Sequence, residues 1–258
     1  MIGFFIKKAF FDGWDNLITL VGYNLGFLLV LLAAYGAIEA MAVSAVLGIV
    51  LLVFVSGLNS LYLGTVSFLT KSLAWYQKPS FSEIKTAFSD SWRHSLFHWL
   101  VNTLVLVILF FVIPFYMSYQ TLAMFAIAVV LFWVALALML SLMYYFPLAA
   151  QILKDRPMKT FKKALLVVGD NMGFSIFFGI YTLINAAFTV VFATIIPGAA
   201  GISLSGQVAM KLLMFKYDYL EQHPDTPKRK VPWEELLFDE RERVGKRSFK
   251  GMIFPWKE

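Results

Sequence analysis

Cysteine is absent from the 258 residues. Disulfide staples, thiolate nucleophiles and thiolate metal ligands are therefore excluded, while the compartment is left open. Charge is scarce as well. Asp, Glu, Lys and Arg make up 15% of the chain, against about 25% in an average soluble protein. Histidine occurs only at His94, His98 and His223. No Gly-x-x-x-x-Gly-Lys-Ser/Thr phosphate loop is present, so nucleotide hydrolysis of the P-loop kind is excluded. What fills the chain instead is apolar: 60% of the residues are hydrophobic and 26 are Phe.

A hydrocarbon core of ~30 Å takes about 20 helical residues to cross. Runs of that kind extend over residues 17–38, 42–70, 96–116, 122–148 and 173–196. A sixth, 201–220, carries Ser203, Ser205, Gln207 and Lys211, and its polarity is compatible with a span, a re-entrant segment or an interfacial helix. Basic residues resist translocation and collect on the cytoplasmic side. With six spans and the N-terminus inside, Lys7 and Lys8 fall in the first cytoplasmic segment. Lys71, Lys78, Lys85 and Arg93 fall in the second, and Lys154, Arg156, Lys159, Lys162 and Lys163 in the third. Lys216 lies at the inner end of the last span, and Lys211 is expected to snorkel to the headgroups there. The only charge left for the external turns is Glu39. The net charge of +6 then reads as this bias plus attraction to anionic lipid, and no nucleic-acid partner is expected. The first apolar run exceeds the 7–15 residues of a signal-peptide core and is expected to be retained.

Order comes from an internal repeat. Ile6-Lys7-Lys8-Ala9-Phe10-Phe11-Asp12-Gly13-Trp14 returns 78 positions later as Ile84-Lys85-Thr86-Ala87-Phe88-Ser89-Asp90-Ser91-Trp92. A looser copy, Phe161-Lys162-Lys163-Ala164-Leu165, starts 77 positions after that. The expected fold is thus an all-α membrane protein of six transmembrane helices. They form three parallel amphipathic-helix-plus-hairpin repeats, at about residues 4–80, 81–157 and 158–220, with both termini inside. In the second copy Ser80 and Glu83 have capping-box spacing after Pro79. Phe81, Ile84, Phe88, Trp92 and Ser95 or Leu96 then follow at three- and four-residue spacing, the apolar ones forming one stripe. Lys7, Trp14, Lys85, Trp92, Lys162 and Lys163 are expected to anchor these helices at the membrane interface. Residues 221–258 hold nine bases and eight acids. They read as a charged cytoplasmic tail with one short helix, resting on the inner leaflet or docking a membrane or cytoplasmic protein partner.

Chemistry is hard to find. Asp90, His94 and His98 share helical spacing that can hold zinc, but the metalloprotease pattern fails for want of a Glu after His94. They read better as the polar edge of a helix. Gly169-Asp170, Tyr217-Asp218 and Ser203-Leu204-Ser205-Gly206 each miss part of an intramembrane protease motif. No cofactor site and no catalytic residue is expected. Asn59, Asn102, Asn185 and Gln207 are the polar side chains to watch, as helix-to-helix bonds or, where several converge on one cavity, as substrate contacts.

Tyr145-Phe146-Pro147-Leu148-Ala149, followed by Thr160, Lys163-Ala164-Leu165-Leu166 and Asn171, resembles the YesL-like family of bacterial integral membrane proteins. Trp14, Asn16 and Asn24 are compatible with that family's opening. The resemblance implies a role near carbohydrate uptake systems and brings no catalytic residues. The sequence as a whole reads as a non-enzymatic protein of the bacterial inner membrane, accessory to transport or assembly. A small-solute or lipid transporter is the alternative, and a lipid-acting enzyme the third reading. Reporter fusions after Ile38, Tyr119 and Pro197 are expected to give external signals; a cytoplasmic signal after Pro197 would remove the sixth span and orient the tail differently.

Overall fold

The structure, a computed structural model, describes residues 1–228 and 230–247. Among them are the helices α1 (Ile2–Asp15), α2 (Leu17–Glu39), α3 (Ala45–Ala74), α4 (Phe81–Val107), α5 (Ile113–Ser118), α6 (Leu122–Gln151), α7 (Pro157–Asp170), α8 (Met172–Val191), α9 (Gly198–Gln222), α10 (Trp233–Leu236) and α11 (Phe238–Val244). Six segments are long and apolar enough to cross a membrane, and the protein is an all-α multi-pass membrane protein. The third span is composite. Pro114 has no N–H to offer the preceding turn, and a π-helical turn, Ile108–Val112, stands just before it and joins α4 to α5.

The expected capping box is present: Ser80 N donates to Glu83 Oε1 at 3.1 Å and opens α4. The expected separate amphipathic helix is not. α4 runs without a break from the interface into the span, whereas α1 stops at Asn16 and α7 at Asn171. The reason lies in three positions related by the 78- and 77-residue offsets. Asn16 Nδ2 donates to Asp12 O at 2.8 Å and Asn171 Nδ2 to Val167 O at 2.9 Å, each Asn taking a non-helical backbone. The corresponding residue in α4 is His94, which reaches across to Tyr145 Oη at 3.1 Å and leaves its own backbone helical. On α4 the stripe Ile84, Phe88, Trp92, Leu96 is exposed, while Ala87, Ser91, His94 and Ser95 are buried against neighbouring helices. The helix shows its apolar face to lipid and its small and polar face to protein.

The least apolar of the six candidate spans is the centre of the molecule. α9 has the lowest mean hydropathy of the six, 1.2, yet 78% of its most apolar window is buried, against 6–22% for the others. It packs on α1, α2, α3, α6 and α8. Its polar residues bond to protein: Ser203 Oγ lies 3.2 Å from Thr70 Oγ1, and Gln207 Nε2 donates to Ser67 O at 2.8 Å and to Ser67 Oγ at 2.9 Å. At Gly206 a Cβ would sit 3.0 Å from Pro147 Cγ, tighter than ordinary contact, so glycine favours the close approach of α6 and α9. A helix surrounded by protein has no need to be soluble in lipid.

The third hairpin is staggered toward the charged end. Asn24, eight residues into α2, donates to Ile195 O and Pro197 O at 2.8 and 2.9 Å and accepts from Ala200 N at 2.9 Å. Gly198 turns there with φ +64°, and a Cβ on it would overlap Asn24. At 1.5 Å per residue, α2 continues roughly 22 Å beyond Asn24. From the other direction, Lys211 donates to Ala74 O, at the end of α3. α9 reaches back about 20 Å from Lys211 while α3 reaches back about 43 Å from Ala74. Both estimates leave the α8–α9 turn some 20 Å short of the α2–α3 turn, so the expectation that Pro197 lies at the external surface is corrected. Because the chain has no cysteine, one introduced thiol is the only one. Val43→Cys is expected to react with a membrane-impermeant maleimide from the far side at least tenfold faster than Thr194→Cys; equal rates would contradict the stagger.

Candidate functional site

Three lysines are buried at the charged end: Lys216, which donates to Asn171 Oδ1, and the adjacent pair Lys8 and Lys211. Lys8 lies on the same face of α1 as Phe5, Ala9 and Asp12, all buried, and Lys211 lies on α9; their side chains are 0% and 1% exposed. A buried ammonium requires a carboxylate and further hydrogen bonds. Lys8 Nζ is 2.8 Å from Asp12 Oδ2 and 3.1 Å from Glu240 Oε2. Lys211 Nζ is 2.7 Å from Glu240 Oε1. Tyr76 Oη accepts from Lys8 at 2.7 Å and donates to Glu240 Oε2 at 2.7 Å. Two ammoniums thus meet two carboxylates, and the cluster is neutral. Trp75 and Tyr76 add ring faces 4.4 and 4.6 Å from Lys211 Nζ.

The backbone bends to supply Tyr76. α3 ends with Gln77 N donating to Ser72 O at 2.8 Å, and Tyr76 takes the left-handed conformation, φ 62°, that glycine normally fills. Its hydroxyl bonds hold it in that strained position. Burial and the neighbouring Glu240 push the phenol up, so it stays a proton donor. Burial likewise pushes the Asp12 carboxyl up, against the pull of Lys8. Burial alone would raise Glu240 too, but Lys211, Lys8 and Tyr76 together hold it below its ordinary 4.5.

Glu240 arrives on α11, and the expected one short helix of the tail is corrected to two. α10 and α11 both pack on the membrane body: Leu237 and Val244 are buried, and Lys7 Nζ donates to Gly245 O at 2.9 Å. The basic and aromatic stretch from Ser248 onward lies outside the described residues. Several expected interface anchors are thereby reassigned. Lys211 does not snorkel, because Glu240 holds it. Lys7 meets the tail. Lys163 and Lys159 both bind Asp155, the latter at 2.7 Å, and hold that carboxyl below its usual range while closing the α6–α7 turn. Lys85, Trp92 and Lys162 are exposed, as is Trp14, which stacks on Phe10.

The four polar residues singled out from sequence do not converge. Asn102 lines a groove of about 310 Å3 bounded by α3, α4, α6, α8 and α9, together with His98, Ser67, Thr182 and Ser203. Asn185 bonds to Tyr181 O on its own helix and lines a separate, smaller hollow of about 130 Å3 under Trp14. Gln207 is buried and ties α9 to α3, and it also accepts from Gln151 Nε2 at 3.2 Å. Asn59 lines neither cavity, and its Oδ1 is buried with no partner among the described residues. The two histidines are engaged separately: His98 Nδ1 is 2.8 Å from Ser60 Oγ, while His94 meets Tyr145. Tyr76, Asp12 and Glu240 were missed from sequence. The available signal was the Lys8–Asp12 pair, four residues apart on an otherwise apolar helix face.

No protein-family model matches the chain, and no curated protein or solved structure matches it. The class therefore rests on the fold alone.

Glu240→Gln leaves two buried ammoniums facing one carboxylate and is expected to destabilise the closed end by about 3–5 kcal/mol. Adding Lys211→Met restores neutrality and is expected to recover much of the loss. Since the folded Glu240 value lies below 4.5, its contribution is complete above pH 4.5 and is lost as pH falls through that lower value. Asp12 has the opposite sign: its cost fades on acidification. Hydrogen exchange over residues 231–247 is therefore expected to rise steeply below pH 4.5 in the parent chain and not in Glu240→Gln.

Proposed function

We propose that the chain is a non-enzymatic protein of the bacterial cytoplasmic membrane, with both ends inside, that binds an amphipathic molecule and acts as an accessory to transport or assembly. The observation that carries this reading is the groove around Asn102. Its walls are mainly apolar, from Leu63, Met139, Leu142, Met143, Phe146 and Phe178, and its polar groups are uncharged: amide, hydroxyl and imidazole. A volume of about 310 Å3 lies at the lower limit of ordinary ligand pockets, roughly 300–1,000 Å3. Asn102 makes no hydrogen bond among the described residues, so its amide is free for a ligand. Such a lining favours a neutral amphiphile with a hydroxyl or amide head over an ion or a free sugar, because an ionised head would find no opposite charge there. The side of the bundle on which the bases gather supports the orientation. The YesL-like resemblance would connect the role to carbohydrate uptake.

Transport of a small solute or lipid is the second reading. It is favoured by the Gln207 side chain, which bonds to Ser67 on the groove and Gln151 on a cleft at the charged end, and so stands between two cavities.

The test uses a photoactivatable hexadecanol with the full chain in nanodiscs. Crosslinks are expected on peptides that line the groove, to be competed by dioleoylglycerol, and to fall at least fivefold in Asn102→Leu. Uniform labelling of the lipid-facing helices, unchanged in that variant, would sink the proposal.

A further inference from the structure

A third cavity, of about 510 Å3, opens at the charged end between α3, α4 and the end of α6. It is unlike the central groove because its walls carry opposite charges. One wall is a helical stripe of α4: Glu83, Thr86, Ala87 and Asp90. Facing it on α3 are Lys71 and Ser72, with Phe68, Leu69 and Trp75 forming an apolar floor. The polar groups have capacity to spare. Lys71 Nζ uses one of its three protons on Ala150 O at 2.8 Å. Glu83 uses Oε1 on Ser80 N. The Asp90 carboxylate has no hydrogen bond or ion pair among the described residues.

Depth identifies the kind of occupant. Measured from Ala45 at the far end of α3, a ~30 Å hydrocarbon core takes about 20 residues and ends near Thr65. Phe68 then lies about 5 Å beyond the core, in the headgroup layer, and Trp75 roughly 15 Å beyond it. The exposed apolar stripe Phe88, Trp92, Leu96 and Leu100 lies on the other side of α4, so the bilayer side of the cleft is formed by Phe68 and Leu69 on α3. A dipolar cleft in the headgroup layer, with an apolar floor on its bilayer side, matches a molecule built the same way.

We infer that this cleft binds the headgroup of a phospholipid carrying both a phosphate and a primary ammonium. The phosphate meets the two free protons of Lys71 and the Ser72 hydroxyl. The ammonium, with three donors, meets Asp90 and the free oxygen of Glu83. A choline headgroup has no N–H to donate, and a glycerol headgroup has no cation, so both satisfy only half of the site. The acyl chains leave the cleft past Phe68 toward the bilayer. The site is separate from the central groove and does not rest on what occupies it.

Native mass spectrometry of the full chain, offered equal amounts of dioleoyl phosphatidylethanolamine, phosphatidylglycerol and phosphatidylcholine, tests this. Phosphatidylethanolamine is expected to be retained at least threefold over each of the others. Asp90→Asn, an exposed change that spares the fold, is expected to abolish that preference while phosphatidylglycerol retention holds or rises. Lys71→Gln is expected to lower all three. Equal retention by the parent chain, or a preference that survives Asp90→Asn, would overturn the inference. Displacement by equimolar glycerophosphoethanolamine, which has the headgroup and no chains, would overturn the assignment to a lipid.

Discussion

The closed end of this protein depends on one electrostatic constraint: two ammonium groups are removed from water and need two carboxylates. Lys8 brings Asp12 with it on the same helix face, four residues away. Lys211 has no acidic neighbour on α9 at such a distance, and its carboxylate comes from Glu240, which also contacts Lys8. Charge balance thus ties together α1, the end of α3, α9 and α11. Replacing an ion pair of this kind by apolar residues is often neutral or stabilising, whereas removing one partner is costly. The network is accordingly better understood as fixing which parts of the chain meet than as a large net source of stability.

The same arrangement explains α9. Hydropathy measures compatibility with lipid, and α9 meets lipid with little of its surface because five helices surround it. Ser203, Gln207 and Lys211, which weaken the segment as a span, are the residues by which neighbours hold it. The stagger set by Asn24 follows the same logic. A turn held by a side-chain amide does not have to reach the far face to have its backbone groups satisfied.

Much of the fold was legible in the sequence because membrane helices announce themselves by length and apolarity, and the Ser80–Glu83 box marked the start of α4. Partner identity was not legible. Lys7, Lys8, Lys163 and Lys211 look alike in sequence, each a base near a membrane edge, and only the fold separates a lysine free to meet phosphate from one enclosed by carboxylates. The tail was misread for the same reason: Glu240 is one of eight acids in a charged segment, and nothing local distinguishes it from Glu234 or Glu242. At the candidate site, Asn102 was found because an amide in an apolar run is conspicuous. The groove around it was not, since five helices distant in sequence build its walls.

The separation of Lys8 and Glu240, at nearly opposite ends of the described chain, makes closure a late event in synthesis. Lys8 leaves the ribosome early and inserts beside the membrane with one carboxylate, Asp12, at hand. The second becomes available only after α11 has been made. A product that stops after α9 has all six apolar helices and an open end, with two ammoniums facing water where the finished chain is sealed. Lys8 and Lys211 are then open to water only in a chain that lacks α11.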